Sequence, residues 1–243
     1  MKFTITKEIF DKFPDLTIGI IVAKGINNKG EEKEVLDLIK KQQQEIRNNF
    51  ETRTLTENEE ISTWRKAYSL FGAKPKKYRC SVENLYRMTL NDIDLTHINK
   101  IVDIYNYMSI KHMIPVGGDD INHIDGNISL TFAKGDESFT QLNTDETKSP
   151  KEGEVVYRDN KEILCRRWNW RECDKSKMTE DTKNVTLVVE GLPPFTKDKI
   201  KEIIEELNTL TKKYCGGETE MFILNKDNPE ITIWTQKTLK TIL

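Results

Sequence analysis

Thr17-Ile18-Gly19-Ile20-Ile21-Val22 is the stretch on which the fold turns. Every residue in it except Gly19 is β-branched, which crowds a helix and suits the interior of a sheet. Residues 3–26 around this run read as extended structure, and then the period changes. Over residues 30–50, Val35, Ile39, Ile46 and Phe50 fall on one helical face, with Glu, Lys and Gln filling the rest. A second helix over 58–70 would bury Ile61, Trp64 and Tyr68 and stop at Gly72, and Lys74-Pro75-Lys76-Lys77-Tyr78-Arg79 follows as a basic connector.

Ser81 can cap a short helix, and Thr96 can cap a longer one carrying Ile98, Ile101, Val102, Tyr105 and Met108 as a buried stripe. Short strands are expected over 128–132, 154–157, 163–166 and 185–190, a helix over 196–214, and two last strands over 221–224 and 231–234. Residues 143–153 offer little to bury and read as the most mobile stretch. Helices and strands mix without strict alternation. The expected class is therefore α+β, a single domain over 1–243 with a central mixed, partly barrel-like β-sheet flanked by the 30–50 and 196–214 helices.

Composition bounds the function. The 243 residues include 40 acidic and 38 basic side chains, so a net charge of −2 and a pI near 6.1 exclude coating of nucleic acid by bulk charge. A local basic patch stays open. Apolar residues run through the whole chain, which excludes wholesale disorder. The apolar run over 16–23 is too short to span a bilayer and no secretory pattern is present, so a cytoplasmic location and no membrane contact are expected. Cys80, Cys165, Cys173 and Cys215 stand far apart, and His97, His112 and His123 fall into no zinc-ligand spacing. Free thiols, no metal and no cofactor are expected.

Nucleophilic triads fail: there is no Gly-x-Ser-x-Gly elbow, no histidine stands beside an obvious Ser or Cys partner, and His97 reads as surface. Gly117-Gly118-Asp119-Asp120 lacks the flanks of a phosphate-binding loop. Two segments are odder. Cys165-Arg166-Arg167-Trp168-Asn169-Trp170-Arg171 sets guanidinium groups suited to phosphates among flat rings suited to stacking, or else is an ordinary strand end with an amphipathic edge. Asp103, Asn106 and Tyr107 share a polar helical flank that either faces a pocket or packs against a loop.

Taken in order, several elements resemble the editing domain of the phenylalanyl-tRNA synthetase β subunit and, more closely, its free-standing relatives. They are Tyr68-Ser69-Leu70-Phe71-Gly72-Ala73-Lys74-Pro75-Lys76-Lys77-Tyr78, Ser81-Val82-Glu83-Asn84-Leu85, Val102-Asp103-Ile104-Tyr105-Asn106-Tyr107-Met108, Pro115-Val116-Gly117-Gly118-Asp119-Asp120, Gly153-Glu154-Val155-Val156-Tyr157-Arg158-Asp159 and Thr182-Lys183-Asn184-Val185. The likeness runs over 64–192. It implies an aminoacyl-ester hydrolase, or a descendant of one, whose partner is the aminoacylated 3′ end of a tRNA. On that basis Asn106, Asn169 and Glu172 are the expected catalytic groups, with Asp174 as the alternative to Glu172. Asp103, Tyr107, Pro115, Gly117, Gly118, Asp120 and Trp168 are the expected substrate contacts. Lys74, Lys76, Lys77, Arg79, Arg166, Arg167 and Arg171 are the expected RNA contacts. The family's pocket loop carries a histidine where this chain has Gly117, which implies a reshaped pocket. Hydrolysis of so activated an ester needs positioning and oxyanion donors more than a protein nucleophile. A non-catalytic tRNA- or RNA-binding module, and a pocket for a small amino-acid-like ligand, are the competing readings.

Overall fold

The computed structural model of the chain describes residues 1–233; Trp234, in the last expected strand, lies outside them. The chain opens with β1 (Lys2–Ile5), α1 (Lys7–Lys12) and β2 (Thr17–Lys24). Four helices follow: α2 (Lys33–Asn49), α3 (Glu59–Leu70), α4 (Ser81–Leu90) and α5 (Lys100–His112). Then come β3 (Val116–Asp120), β4 (Ile128–Phe132), β5 (Phe139–Thr140), β6 (Thr147–Lys148), β7 (Val155–Arg158), β8 (Ile163–Arg166), β9 (Arg171–Glu172) and β10 (Asn184–Gly191). The last described elements are α6 (Lys197–Cys215), β11 (Glu218–Leu224) and β12 (Glu230–Thr232).

β2 is buried along almost its whole length because it has a neighbour on every side. β10 and β11 pair with it antiparallel, and β3 adds to β10, giving a four-stranded sheet in the order β11-β2-β10-β3. Helix α6 settles on one face of that sheet where side chains are missing. A Cβ on Gly19 would stand 2.3 Å from Ile204 Cγ2, and one on Gly191 would stand 2.5 Å from Ile200 Cδ1. Side chains alternate along a strand, so the register assigns the other face. Ile18 pairs with Glu190, Gly117 with Val188 and Asp119 with Thr186, and these residues point away from α6.

Opposite that inner face runs a six-stranded sheet in the order β12-β1-β4-β7-β8-β9, with β1 parallel to β4 and the other pairs antiparallel. The expectation of one central, partly barrel-like sheet is thus refined. Mixed α+β structure holds, but the strands divide into two main sheets and a β5–β6 ribbon, with no closed barrel among the described residues. One contiguous apolar core joins both sheets and the helices. Among the described residues no helix is long and apolar enough to cross a membrane.

Caps fix the helices that carry the site. The Asn58 side chain accepts from the N–H groups of Glu60 and Ile61 to start α3, and the Thr196 hydroxyl accepts from Lys199 to start α6. The expected Thr96 cap is not used. Helix α5 begins a turn later, at Asn99, whose side chain accepts from Val102 N–H while Asn28 Oδ1 accepts from Ile101 N–H at 2.8 Å. Cys80, not Ser81, is the N-cap of α4. Gln43 of α2 is buried rather than on the outer face, because its amide bonds the Thr89 hydroxyl and the Ile93 carbonyl at the end of α4.

The tightest approach in the four-stranded sheet is at Gly118, where a Cβ would lie 2.2 Å from the Thr186 carbonyl oxygen of the neighbouring strand. Backbone cannot swing aside as a side chain can. Gly118→Ala should lower stability by at least about 2 kcal/mol in a urea titration, as overpacking against fixed atoms does. An unchanged midpoint would mean that β3 and β10 lie further apart than described.

Candidate functional site

A cleft opens between the two sheets, and its floor is the inner face of β3 and β10. Gly117, Gly118, Asp119, Val188 and Glu190 line the inner chamber from that side, and Phe3, Tyr157, Cys165, Trp168, Asn169 and Glu172 line it from the other. About 430 Å³ of space, open solvent included, lies between these residues. An outer chamber continues past Ser81, Val116, Gly117, Asn169 and Glu172 to Tyr105, Asn106, Lys77, Arg79, Trp170 and Arg171. Glu172 belongs to both chambers, its Oε1 standing 3.6 Å from where a Gly117 Cβ would be.

Three carboxyl groups converge on the inner chamber, and among the described residues no Lys or Arg pairs with any of them. Burial pushes the Glu190 carboxyl up to about 7, against hydrogen bonds from Tyr157 and Asn169 that favour its charged form. Burial likewise pushes Asp119 up to about 6, opposed by the Ser176 hydroxyl and aided by Asp159 and Asp120. Glu172 is raised well above the usual range by burial and then by the charges of Asp119 and Glu190. The Cys165 thiol is held far above its ordinary value by burial and by the same carboxyls, so it is no ready nucleophile.

Glu190 is the structural member of this set. Tyr157 OH donates to its Oε1 at 2.5 Å and Asn169 Nδ2 to its Oε2 at 2.6 Å, which ties β10 to β7 and to the β8–β9 turn. Asn169 is itself occupied on both ends, since its Oδ1 accepts from Tyr68 OH at 2.9 Å and from Ser81 N–H at 3.4 Å. The turn that presents it is built on two consecutive left-handed residues, Arg167 (φ 47°) and Trp168 (φ 68°). Trp168 N–H donates to Val155 O at 2.6 Å, and its ring packs edge-on to Phe13 and Trp64.

The expected site residues divide on these facts. Asn106, Asn169, Glu172, Gly117, Gly118 and Trp168 come together at the cleft, with Lys77, Arg79 and Arg171 at its mouth. Lys74 and Lys76 lie on an adjoining open concavity beside the exposed Leu70. Arg166 and Arg167 are corrected as RNA contacts: both are buried on Glu154, Arg166 through two bonds at 3.0 and 3.1 Å and Arg167 at 2.7 Å. Asp103 is corrected too. It is buried at the foot of α5, accepting from Ile98 N–H at 3.1 Å with His97 Nδ1 at 2.5 Å, so His97 is a partner rather than bare surface. Asp120 accepts from the Thr182 hydroxyl and Asn122 N–H, Pro115 O accepts from Glu190 N–H, and Tyr107 is buried with the Lys111 ammonium 5.6 Å from its ring. These four residues brace the walls and do not face the cleft. Asp174 sits outside on Lys177, which lowers its carboxyl pKa, whereas Glu172 points in.

Asp119, Glu190 and Tyr105 are the cleft residues that sequence reading missed. Tyr105 falls in the apolar stripe of α5 and looks like core, yet it lines the outer chamber, where burial raises its hydroxyl pKa. Glu190 had a signal: an acid at the end of an otherwise apolar strand, Leu187-Val188-Val189-Glu190. Among the described residues no group of three or more His, Cys, Asp and Glu side chains is arranged to hold a metal ion.

Known proteins are similar to this chain over much of its length. The sequence model of the B3/4 domain matches residues 63–216. The β subunit of phenylalanine–tRNA ligase from Fusobacterium nucleatum is 28% identical over 134 residues, which is 55% of this chain but only 16% of that subunit. Among solved structures, an N-terminal fragment of the phenylalanyl-tRNA synthetase β subunit from Pyrococcus horikoshii superposes with a TM-score of 0.48 at 16% identity, over 94% of this chain and 53% of that one.

Glu190 generates a pH signature. Its carboxyl ionises near 7 when folded but near 4.5 when exposed, so the stability that its neutral form contributes is complete below pH 4.5 and is lost as pH rises to 7. The loss should be on the order of 2–3 kcal/mol. Glu190→Gln should therefore be most stabilised relative to the parent above pH 7, with the two thermal midpoints converging toward pH 4.5. Parallel curves would show that Glu190 ionises as freely folded as unfolded.

Proposed function

This chain belongs to the B3/4 domain family and is a relative of a domain in the β subunit of phenylalanine–tRNA ligase, and from that premise we propose that it hydrolyses the ester of a misacylated aminoacyl-tRNA in trans. The observation that carries the reading is the cleft's polarity. An acidic inner chamber with no cation of its own suits an α-ammonium group, and a mouth bearing Lys77, Arg79 and Arg171 suits the phosphates of an RNA end. An aminoacyl ester on a 3′-terminal ribose has those two charges at those two ends.

In this reading a water held at Glu172 attacks the acyl carbonyl carbon and passes its proton to that carboxylate. The ester C–O bond breaks, the leaving ribose oxygen takes up a proton, and a free amino acid and a free 3′ end result. Asn106, half-buried on α5 and facing the outer chamber, supplies an amide donor for the carbonyl oxygen. Asp119, with its neighbour Glu172, receives the substrate ammonium. A carboxyl whose pKa is raised by burial is, once ionised, a stronger base than an ordinary one. Asn169 spends one amide N–H on Glu190 and its carbonyl oxygen on Tyr68 and Ser81, and acts by holding Glu190 and the turn.

A panel of mischarged tRNAs, scored for ester loss, tests the reading. Glu172→Gln should slow hydrolysis about a hundredfold or more and remove the rise in rate with pH that titration of the Glu172–Asp119 pair produces in the parent. Asn106→Ala should cost about ten- to a thousandfold with its thermal midpoint kept. Asn169→Ala should lose activity and stability together, because it leaves Glu190 and Tyr68 without partners. No ester loss from any tRNA in the panel, at any pH, would leave the non-catalytic RNA-binding module as the better account.

Reversing Lys76 and Lys77 to Glu should weaken tRNA binding and flatten its dependence on salt, since each lost phosphate contact releases fewer counterions. Affinity equal to the parent's at every salt concentration would remove this loop from the RNA-facing surface.

A further inference from the structure

At the mouth of the cleft stands an arrangement that ester hydrolysis does not require. Arg167 is buried and ion-paired to Glu154, yet its guanidinium also lies against two aromatic rings, 3.9 Å from the centroid of Tyr78 and 4.5 Å from that of Trp170. Tyr78 and Trp170 meet edge to face with centroids 5.0 Å apart, and both remain half-buried. Such a buried cation, neutralised from below by a carboxylate, locks the two rings at the surface. Around them stand exposed cations: Lys77, whose ammonium lies 5.4 Å from the Tyr78 ring; Arg171, 5.2 Å from the Trp170 ring; and Arg79, only loosely paired to Glu83 at 3.9 Å. Among the described residues Arg171 has no carboxylate partner.

We propose that Trp170, braced by Arg167 and Tyr78, is the stacking platform for the terminal nucleobase of a single-stranded RNA 3′ end, with Lys77, Arg79 and Arg171 on the adjoining phosphates. The proposal deepens the reading above and rests on it for the orientation of the RNA. Three features carry it. Trp170 lines the same outer chamber as Asn106 and Glu172, so a base stacked there leaves its ribose ester within reach of the acids. A held aromatic face accepts any base, and flanking cations track a backbone, which is how single strands are bound without base-pair readout. The platform is also rigid before any ligand arrives, because the Arg167–Glu154 pair and the Trp170 N–H bond to Arg166 O at 3.1 Å fix it from within.

The test is equilibrium binding of a fluorescein-labelled oligonucleotide ending in CCA, compared with the same oligonucleotide lacking its 3′-terminal base. Trp170→Ala should weaken binding of the complete oligonucleotide roughly five- to a hundredfold while leaving the abasic one nearly unchanged, and Trp170→Phe should restore most of the loss. Arg171→Glu should weaken both ligands alike and reduce the salt slope by about one. Equal losses on both ligands in Trp170→Ala, or no loss on either, would overturn the platform. Since no ester is involved, the two readings fail separately. Trp170-dependent binding without hydrolysis of any charged tRNA would sink the deacylase and leave the platform. Hydrolysis with Trp170-independent binding would do the reverse.

Discussion

The interaction on which this structure leans is the buried carboxyl of Glu190. It sits on the inner face of a strand in one sheet and accepts from Tyr157 in the other and from Asn169 in the turn between β8 and β9. A buried acid with fewer partners would be a liability of several kcal/mol. With two strong donors it becomes a brace that sets how far apart the sheets stand. The cleft lies where polar bonds join the two sheets beside their shared apolar core. Gly118 acts within one sheet, letting β3 approach β10 closely enough to bring Asp119 and Gly117 onto the floor.

Charge is sorted along the cleft by burial. Inside, Asp119, Glu172 and Glu190 have no cation and hold their protons to higher pH than free carboxyls do. Outside, Lys77, Arg79 and Arg171 stay in water, while the two arginines that could have neutralised the acids, Arg166 and Arg167, are turned onto Glu154 instead. That diversion leaves the acids of the inner chamber without a cation of the protein's own. Had Arg167 reached Glu172, the pair would have neutralised itself and the chamber would have little reason to attract a cationic ligand.

Much of this was legible in the sequence where a rule of local chemistry applied. The β-branched run at 17–22 and the helices expected over 58–70 and 196–214 each follow from residues close together in the chain. The start of α5 was misplaced because Thr96 is as good a cap as Asn99 on propensity alone. The choice falls to Asn28, 73 residues before Ile101, which accepts from Ile101 N–H and leaves Asn99 to close the turn. The site shows the same limit. Asn106 and Glu172 could be singled out, but Asp119 and Glu190 face the cleft only through cross-strand register, and no local pattern distinguishes Tyr105 from its core neighbours. Arg166 and Arg167 read as surface charge because their partner Glu154 lies on the far side of a hairpin.

The turn from Arg167 to Arg171 shows how one short segment serves both ends of the cleft. Two adjacent non-glycine residues in the left-handed region cost on the order of 1–2 kcal/mol each, and such a pair persists only where its surroundings hold it. Here three things hold it: the Arg167–Glu154 ion pair, the bond from Trp168 N–H to Val155 O, and the aromatic packing of Trp168 on Phe13 and Trp64. The conformation so enforced sends successive side chains in different directions. Trp168 goes into the core, Asn169 to Glu190 at the cleft floor, Trp170 to the mouth, and Glu172 back over Gly117. A relaxed hairpin would alternate these residues between two faces and could not deliver both a polar brace and an aromatic rim to the same cavity. The strain is thus the means by which an acid-lined floor and an aromatic rim come within one cleft, and the Arg167–Glu154 pair, the Trp168 N–H bond and the packing of the Trp168 ring keep it in place.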